Sequence, residues 1–255
     1  MPNAAGLWYE WHGPPDGEEL ILSPGLGGSG SYWAPNLAAL SQKHRVLVYD
    51  HRGTGRSGSL PEGEVSIASM AADVLALMDE LGIRRPYFLG HAIGGMIGLE
   101  LGDVLARRIV VNGWSRLDPH TERCFDVRLG ILRSSGPEAY VEAQPIFLYP
   151  AGWSSMNSGM LDVEAEHQLE RFPPVATVER RIAAAKAFEL RAGRADCPTL
   201  LVAAADDVLV PAHCSELLAV ELANARVARL EWGGHACNVT DPDSFNRLVL
   251  EFLGS

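Results

Sequence analysis

The chain has 255 residues, 47% of them hydrophobic, and its 32 acidic against 21 basic side chains give a formal charge of −11. That length and composition suit one sizeable α/β domain with room for an insertion. The negative field argues against nucleic acid or an anionic membrane as a partner, and no run of about 18 apolar residues marks a membrane span. A small-molecule substrate, even a small anion held by backbone donors, stays compatible.

In chain order, Glu19 to Ser23 and Val46 to Asp50 read as short apolar strands, each followed by a turn-rich segment. From Ser66, apolar residues recur at Ile67, Met70, Ala71, Val74, Leu75, Met78 and Leu81, which is helical spacing, and Gly82 is a C-terminal stop. Pro86–Leu89 forms the next strand, Ile93 to Leu105 a helix, and Ile109–Asn112 another strand. Between residues 115 and 194 no buried strand is apparent, helical stretches dominate, and turns at Pro150-Ala151-Gly152 and Pro173-Pro174 punctuate them. Thr199 to Ala204 is a continuous apolar run of the kind covered on both faces, and Val227 to Glu231 a shorter one. Asp241-Pro242 reads as an N-cap with proline at the first helical position, followed by an apolar face of Phe245, Leu248, Val249, Phe252 and Leu253. Alternating strands and helices predict a mostly parallel, doubly covered sheet. The expected division is a core of residues 1–114 and 195–255, with a helical cap of residues 115–194 inserted in it.

Four pieces carry chemistry. The first, Ser23-Pro24-Gly25-Leu26-Gly27-Gly28, is a glycine-rich loop after a strand, where backbone N–H groups can approach a ligand. The second, Gly90-His91-Ala92-Ile93-Gly94, has the strand-to-helix placement of a G-x-S-x-G nucleophile elbow, but alanine occupies the centre. The Leu26 and Ile93 N–H groups would make a two-donor oxyanion hole beside Gly25 and Ala92. The third, Asp206-Asp207 at the end of the Thr199 strand, offers a carboxylate that could orient a histidine. The fourth, Gly233-Gly234-His235-Ala236-Cys237, places His235 in a flexible loop before the last helix, with Cys237 as a conceivable displaced nucleophile or an inert thiol. Asn112 and Trp114 lie beyond a strand's C-terminal end, where ligand contacts concentrate. Phe147, Tyr149 and Trp153 could shape a lid. His12, His44, His51, His120, His167 and His213 show no metal-ligand spacing and read as structural or solvated, while His91 packs locally; no metal and no cofactor are expected.

The chain order of oxyanion loop, elbow, acid and histidine resembles the α/β-hydrolase superfamily. In that superfamily the acid commonly lies four residues before a proline such as Pro211, which favours Asp207 and keeps Asp206 in reserve. The segments Gly27–Trp33, Tyr49–Gly55, Gly90–Gly94, Val111–Trp114, Ala143–Pro150 and Gly233–Pro242 resemble one subfamily closely, the D component of the Rut pathway of uracil and thymine breakdown. That resemblance implies alanine at the elbow by nature and hydrolysis of a small unstable pathway product. The product is either 3-aminoacrylate, giving malonic semialdehyde and ammonia, or carbamate, giving carbon dioxide and ammonia. A catalytically dead hydrolase that binds a small ligand, or a cofactor-free His–Asp lyase or dioxygenase, are the alternatives. The first eleven residues lack the basic-then-apolar layout of a secretory signal, and Cys124, Cys197, Cys214 and Cys237 suggest no disulfide framework. A reduced cytoplasm is therefore expected, and the oligomeric state stays open.

Overall fold

The computed structural model describes residues 2–191 and 197–254. In chain order the elements are β1 (Asn3–Ala4), β2 (Leu7–His12), β3 (Glu18–Ser23), α1 (Ala34–Leu40), β4 (His44–Tyr49), α2 (Ile67–Leu81), β5 (Tyr87–His91), α3 (Ile93–Leu101) and β6 (Arg107–Val111). Four helices follow: α4 (Pro119–Leu148), α5 (Ala151–Met156), α6 (Ser158–Glu170) and α7 (Val175–Lys186). The chain then forms β7 (Thr199–Ala204), α8 (His213–Glu221), β8 (Ala225–Leu230), α9 (Cys237–Thr240) and α10 (Pro242–Leu253).

The eight strands form one sheet in the order β1-β2-β4-β3-β5-β6-β7-β8. The pairings from β4 and β3 through to β8 are parallel, and β1 and β2 are added antiparallel at one edge. Period-two alternation sorts the strand residues between two cores. Leu20, Leu22, Val46, Val48, Leu89, Ile109, Val111, Leu200 and Val202 meet Leu40 of α1 and Phe245, Val249 and Phe252 of α10. Ile21, Leu47, Phe88, Val110 and Leu201 face the other way, onto α2, α3 and the helices between β6 and β7. β7 is buried at every position, which explains its unbroken apolar run from Leu200 to Ala204.

Local signals set several boundaries. Ser66 caps α2 in a reciprocal pair with Ser69, and Gly82, at φ +70°, ends it. Asp241 caps α10 with Pro242 in the first turn. Other boundaries differ from expectation. The helix predicted over Ile93–Leu105 stops at Leu101, because Gly102 takes φ +60° and a short 3₁₀ turn follows. Pro150-Ala151-Gly152, read as a turn, opens α5. β1 and β2 were not expected: β1 has only two residues, and β2, Leu-Trp-Tyr-Glu-Trp-His, lacks a clean apolar–polar alternation. α4 breaks at Gly136 (φ +86°), where Pro137 starts the second half, a break that was not expected. Helices α4 to α7 all lie within 115–194, and the expected boundary at 194/195 falls outside the described residues. Among the described residues no helix is long and apolar enough to cross a membrane.

The close crossing of β5, α3 and β3 is what positions the elbow. A Cβ on Gly94 would lie 2.3 Å from the Ser23 carbonyl oxygen and 2.6 Å from that of Pro24. Both obstacles are backbone, so neither can swing aside. Gly94→Ala is expected to cost at least the upper end of the about 1–3 kcal/mol typical of overpacking, read as a lowered urea midpoint. An unchanged midpoint would show that the elbow and the β3 loop are not held in this contact.

Candidate active site

Six parallel strands, β3 to β8, end on the same side of the sheet, and the loops that leave them converge there, as expected for an open parallel sheet. Two non-glycine residues with positive φ sit directly after neighbouring strands: Ala92 (φ +47°) after β5 and Asn112 (φ +49°) after β6. Strained backbone of this kind persists only where surrounding contacts over-determine it. Here the strand ladder continues through both residues. The Ala92 N–H donates to the Val111 carbonyl at 2.8 Å, and the Asn112 N–H to that of Val202 at 2.8 Å. Ala92 therefore keeps the sharp turn of an elbow without an oxygen at its apex.

His235 arrives from the loop after β8 and is almost fully buried. Its Nδ1–H donates to Asp207 Oδ2 at 2.8 Å, which leaves Nε2 for chemistry. The other carboxylate oxygen, Oδ1, accepts from the Leu209 and Val210 N–H groups at 2.7 and 2.9 Å, so the Asp207 carboxylate is fixed at both ends. Asp206 does something else: it accepts from the Gly233 and Gly234 N–H groups at 3.3 and 2.9 Å and ties down the loop that carries His235. The two adjacent aspartates thus divide between the imidazole and its loop.

Two further side chains hold the same loop through the His235 carbonyl. Asn112 Nδ2 and His91 Nε2–H both donate to it at 2.8 Å. The Asn112 Oδ1 accepts from the Ala204 N–H at 3.1 Å, so both ends of that amide are consumed by protein. Asn112 is accordingly a positioning residue and not the ligand contact that its place after β6 suggested. His91, expected to pack locally, instead meets the His235 ring edge-on, with centroids 4.6 Å apart. Its Nδ1 would lie 2.7 Å from a Cβ on Gly25, so only glycine lets the oxyanion loop pass this ring. Trp114 is buried against Phe125 beneath α4, and its indole N–H has no partner among the described residues.

The two backbone donors expected of an oxyanion hole are left free by the local structure. Ile93 is the first residue of α3, so its N–H has no intrahelical acceptor. None of the loop hydrogen bonds among the described residues uses the Leu26 or the Ile93 N–H. Cys237 is fully buried, and burial first, then the Asp207 charge, pushes its thiol up to about 12. That leaves almost no thiolate at neutral pH and argues for inert packing. Tyr149 and Trp153 stack with ring centroids 4.7 Å apart over the outer side of the Asp206 loop, beside Pro150, Ser154 and Val208. Farther out, the ligand atoms of Asp118, His213 and Cys214 lie within 4.8 Å of one another. Asp118 is already engaged there, capping α4 and pairing with His213 at 3.0 Å, and burial pushes the Cys214 thiol up to about 12.

Two buried histidines make the fold sensitive to acid. Burial, and then the Arg181 charge, hold His51 well below the usual range; burial, and then His235, do the same for His91. Below about pH 6.5 the unfolded chain takes up protons that these folded side chains refuse. Stability is therefore lost as pH falls through that value, by up to about 1.4 kcal/mol per pH unit for each group. Urea unfolding at pH 7.5 and 5.5 should show the loss, and His51→Gln should reduce it. An identical pH dependence in the variant would remove His51 from this account.

With this geometry in view, comparison with known proteins is informative. The α/β-hydrolase fold model matches residues 19–109. A protein of Caulobacter vibrioides named "Putative carbamate hydrolase RutD" is 49% identical over 97% of this chain and 95% of its own. A protein of the same name from Pseudomonas savastanoi pv. phaseolicola is 48% identical over 94% and 95%. Among solved structures, the enol-lactonase of Burkholderia xenovorans LB400 superposes with a TM-score of 0.89 at 29% identity, covering 100% of both chains. At 49% identity across nearly its whole length, this chain belongs to the RutD family of α/β-hydrolases.

Proposed function

We propose that this protein hydrolyses the carbon–nitrogen bond of a small planar amine derivative bearing a carboxylate, with His235 and Asp207 as the acid–base pair and no covalent intermediate. Two substrates fit that description. Carbamate is the one in the name of the RutD relatives, and 3-aminoacrylate is the other that the family resemblance implies. The observation that carries the reading is a buried His235–Asp207 bond of 2.8 Å beside an elbow whose central residue, Ala92, offers no nucleophile.

In this scheme the substrate carboxylate accepts hydrogen bonds from the Leu26 and Ile93 N–H groups, which are preorganised and cost no rearrangement during reaction. The space a serine hydroxyl would fill is left for substrate or water. With 3-aminoacrylate, protonated His235 gives its Nε2 proton to the carbon next to the carboxylate, and the enamine becomes an iminium. Water then adds to the nitrogen-bearing carbon while His235 takes a proton from it. Proton return from His235 to nitrogen expels ammonia, and the hydroxyl gives its proton back to His235, which leaves malonic semialdehyde and the imidazole protonated as at the start. With carbamate, His235 protonates the nitrogen, the carbon–nitrogen bond breaks, and ammonia and carbon dioxide leave. In either case Asp207 stabilises the imidazolium and keeps the ring oriented. General acid–base catalysis supplies about 10²–10⁴-fold, enough to matter for reactions that already proceed in water.

Ammonia release should be followed in time from freshly generated 3-aminoacrylate and separately from carbamate, with the protein, with His235→Ala, with Asp207→Asn and with no protein. The expected result is acceleration of one substrate by about 10²-fold or more, abolished in His235→Ala and much reduced in Asp207→Asn. Traces that coincide with the protein-free control for both substrates would overturn the reading. They would favour a ligand-binding protein that has lost its chemistry along with its serine.

A further inference from the structure

Arg181 stands on α7, outside the His235–Asp207 pair, and its side chain is fully buried. It reaches into the core and ends on two backbone carbonyls. Nη1 donates to Leu26 O at 3.3 Å and Nη2 to Arg52 O at 2.7 Å. Its Nε has no partner, and among the described residues no carboxylate lies within ion-pair distance. Buried guanidinium groups are ordinarily paired, because an isolated charge is costly away from water. In a chain with 32 acidic residues, the absence of a counter-charge beside Arg181 is not for want of carboxylates.

The place is as telling as the charge. Leu26 supplies one of the two oxyanion donors through its N–H, and Arg181 holds the carbonyl of the same residue. Gly28, at φ +75°, makes room for the guanidinium: a Cβ there would lie 2.4 Å from Nη1 and 2.8 Å from Thr54 Oγ1. Thr54 Oγ1 and His51 Nδ1 are also buried without partners among the described residues, and neither carries a negative charge to offset the cation from that side. Burial pulls Arg181 down to about 10, so it still carries its charge at neutral pH.

We propose that Arg181 is a positioning and specificity residue, which locks the oxyanion loop from α7 and whose unmatched positive charge makes that hole select ligands bearing a carboxylate. The inference rests on the assignment of the Leu26 N–H as a substrate donor. Arg181 does not touch the ligand. Its rigid fork fixes the Leu26 peptide, and its field, little screened in a buried setting, favours an anion at the donors. It also explains how a chain of charge −11 can admit a small anion.

The test is calorimetric titration with propionate and with propionamide, its neutral counterpart, neither of which depends on turnover. Wild-type protein should bind propionate more tightly than propionamide. Arg181→Gln should weaken propionate about tenfold more than propionamide, which shares only the lost positioning, while Arg181→Lys, which keeps the charge but not the fork, should retain most of the preference for propionate. If Arg181→Gln does not fold, Gly28→Ala carries the same comparison, since its Cβ would push Nη1 from its place. Equal losses for the two ligands, equal losses in the Gln and Lys variants, or no preference for propionate in the wild type would each overturn the proposal. Because propionate binding needs no chemistry, a failed ammonia assay with Arg181-dependent binding would sink the hydrolytic reading alone.

Discussion

The site depends on one buried contact, the hydrogen bond between His235 and Asp207. Neither partner could be held there by itself. The Asp207 carboxylate is set at the end of β7 by the Leu209 and Val210 N–H groups, and the His235 loop is moored by Asp206, Asn112 and His91. Each anchor comes from a different strand end, so the imidazole is placed by the parallel sheet as a whole. Removing any one of them would free a loop that contains two glycines at positive φ, Gly233 and Gly234.

Around that contact the protein retains the apparatus of a serine hydrolase and lacks its serine. Ala92 keeps the strained φ of an elbow residue, and Gly90 and Gly94 keep the backbone crossing that makes the turn possible. A chain under no demand for this geometry would be free to relax it. The strain retained at an alanine argues that the turn still serves to present the Ile93 N–H and to clear space in front of His235. Cys237, the one nucleophile near enough in sequence to substitute, is buried with its thiol protonated.

The helices between β6 and β7 take part in the site from above. Through Arg181 they grip the backbone of the oxyanion loop, and through the Leu148 carbonyl they accept a hydrogen bond from the Ala236 N–H next to His235. Any shift of these helices would therefore reach both the donors and the base.

Much of this was legible from residue order. Apolar alternation and glycine-rich turns gave the strand–helix succession, and the chain order of loop, elbow, aspartate and histidine singled out Leu26, Ala92, Ile93, Asp207 and His235. The strands β1 and β2 were missed because one has two residues and the other, Leu-Trp-Tyr-Glu-Trp-His, does not alternate, and the break at Gly136 was passed over although a Gly-Pro pair marks it. Asn112 was read only as a ligand contact, His91 only as packing locally, and Arg181 was not singled out. Their roles are contacts with residues 123, 144 and 155 positions away in the chain, and no local pattern reports such distances. The sequence by itself determined the periodicities, the turns and the missing serine, since these follow from side-chain chemistry along the chain. Only the tertiary structure decided which aspartate meets the histidine, which polar groups serve as anchors, and where a buried charge is left unpaired. Those outcomes depend on which strand ends lie side by side in the folded sheet.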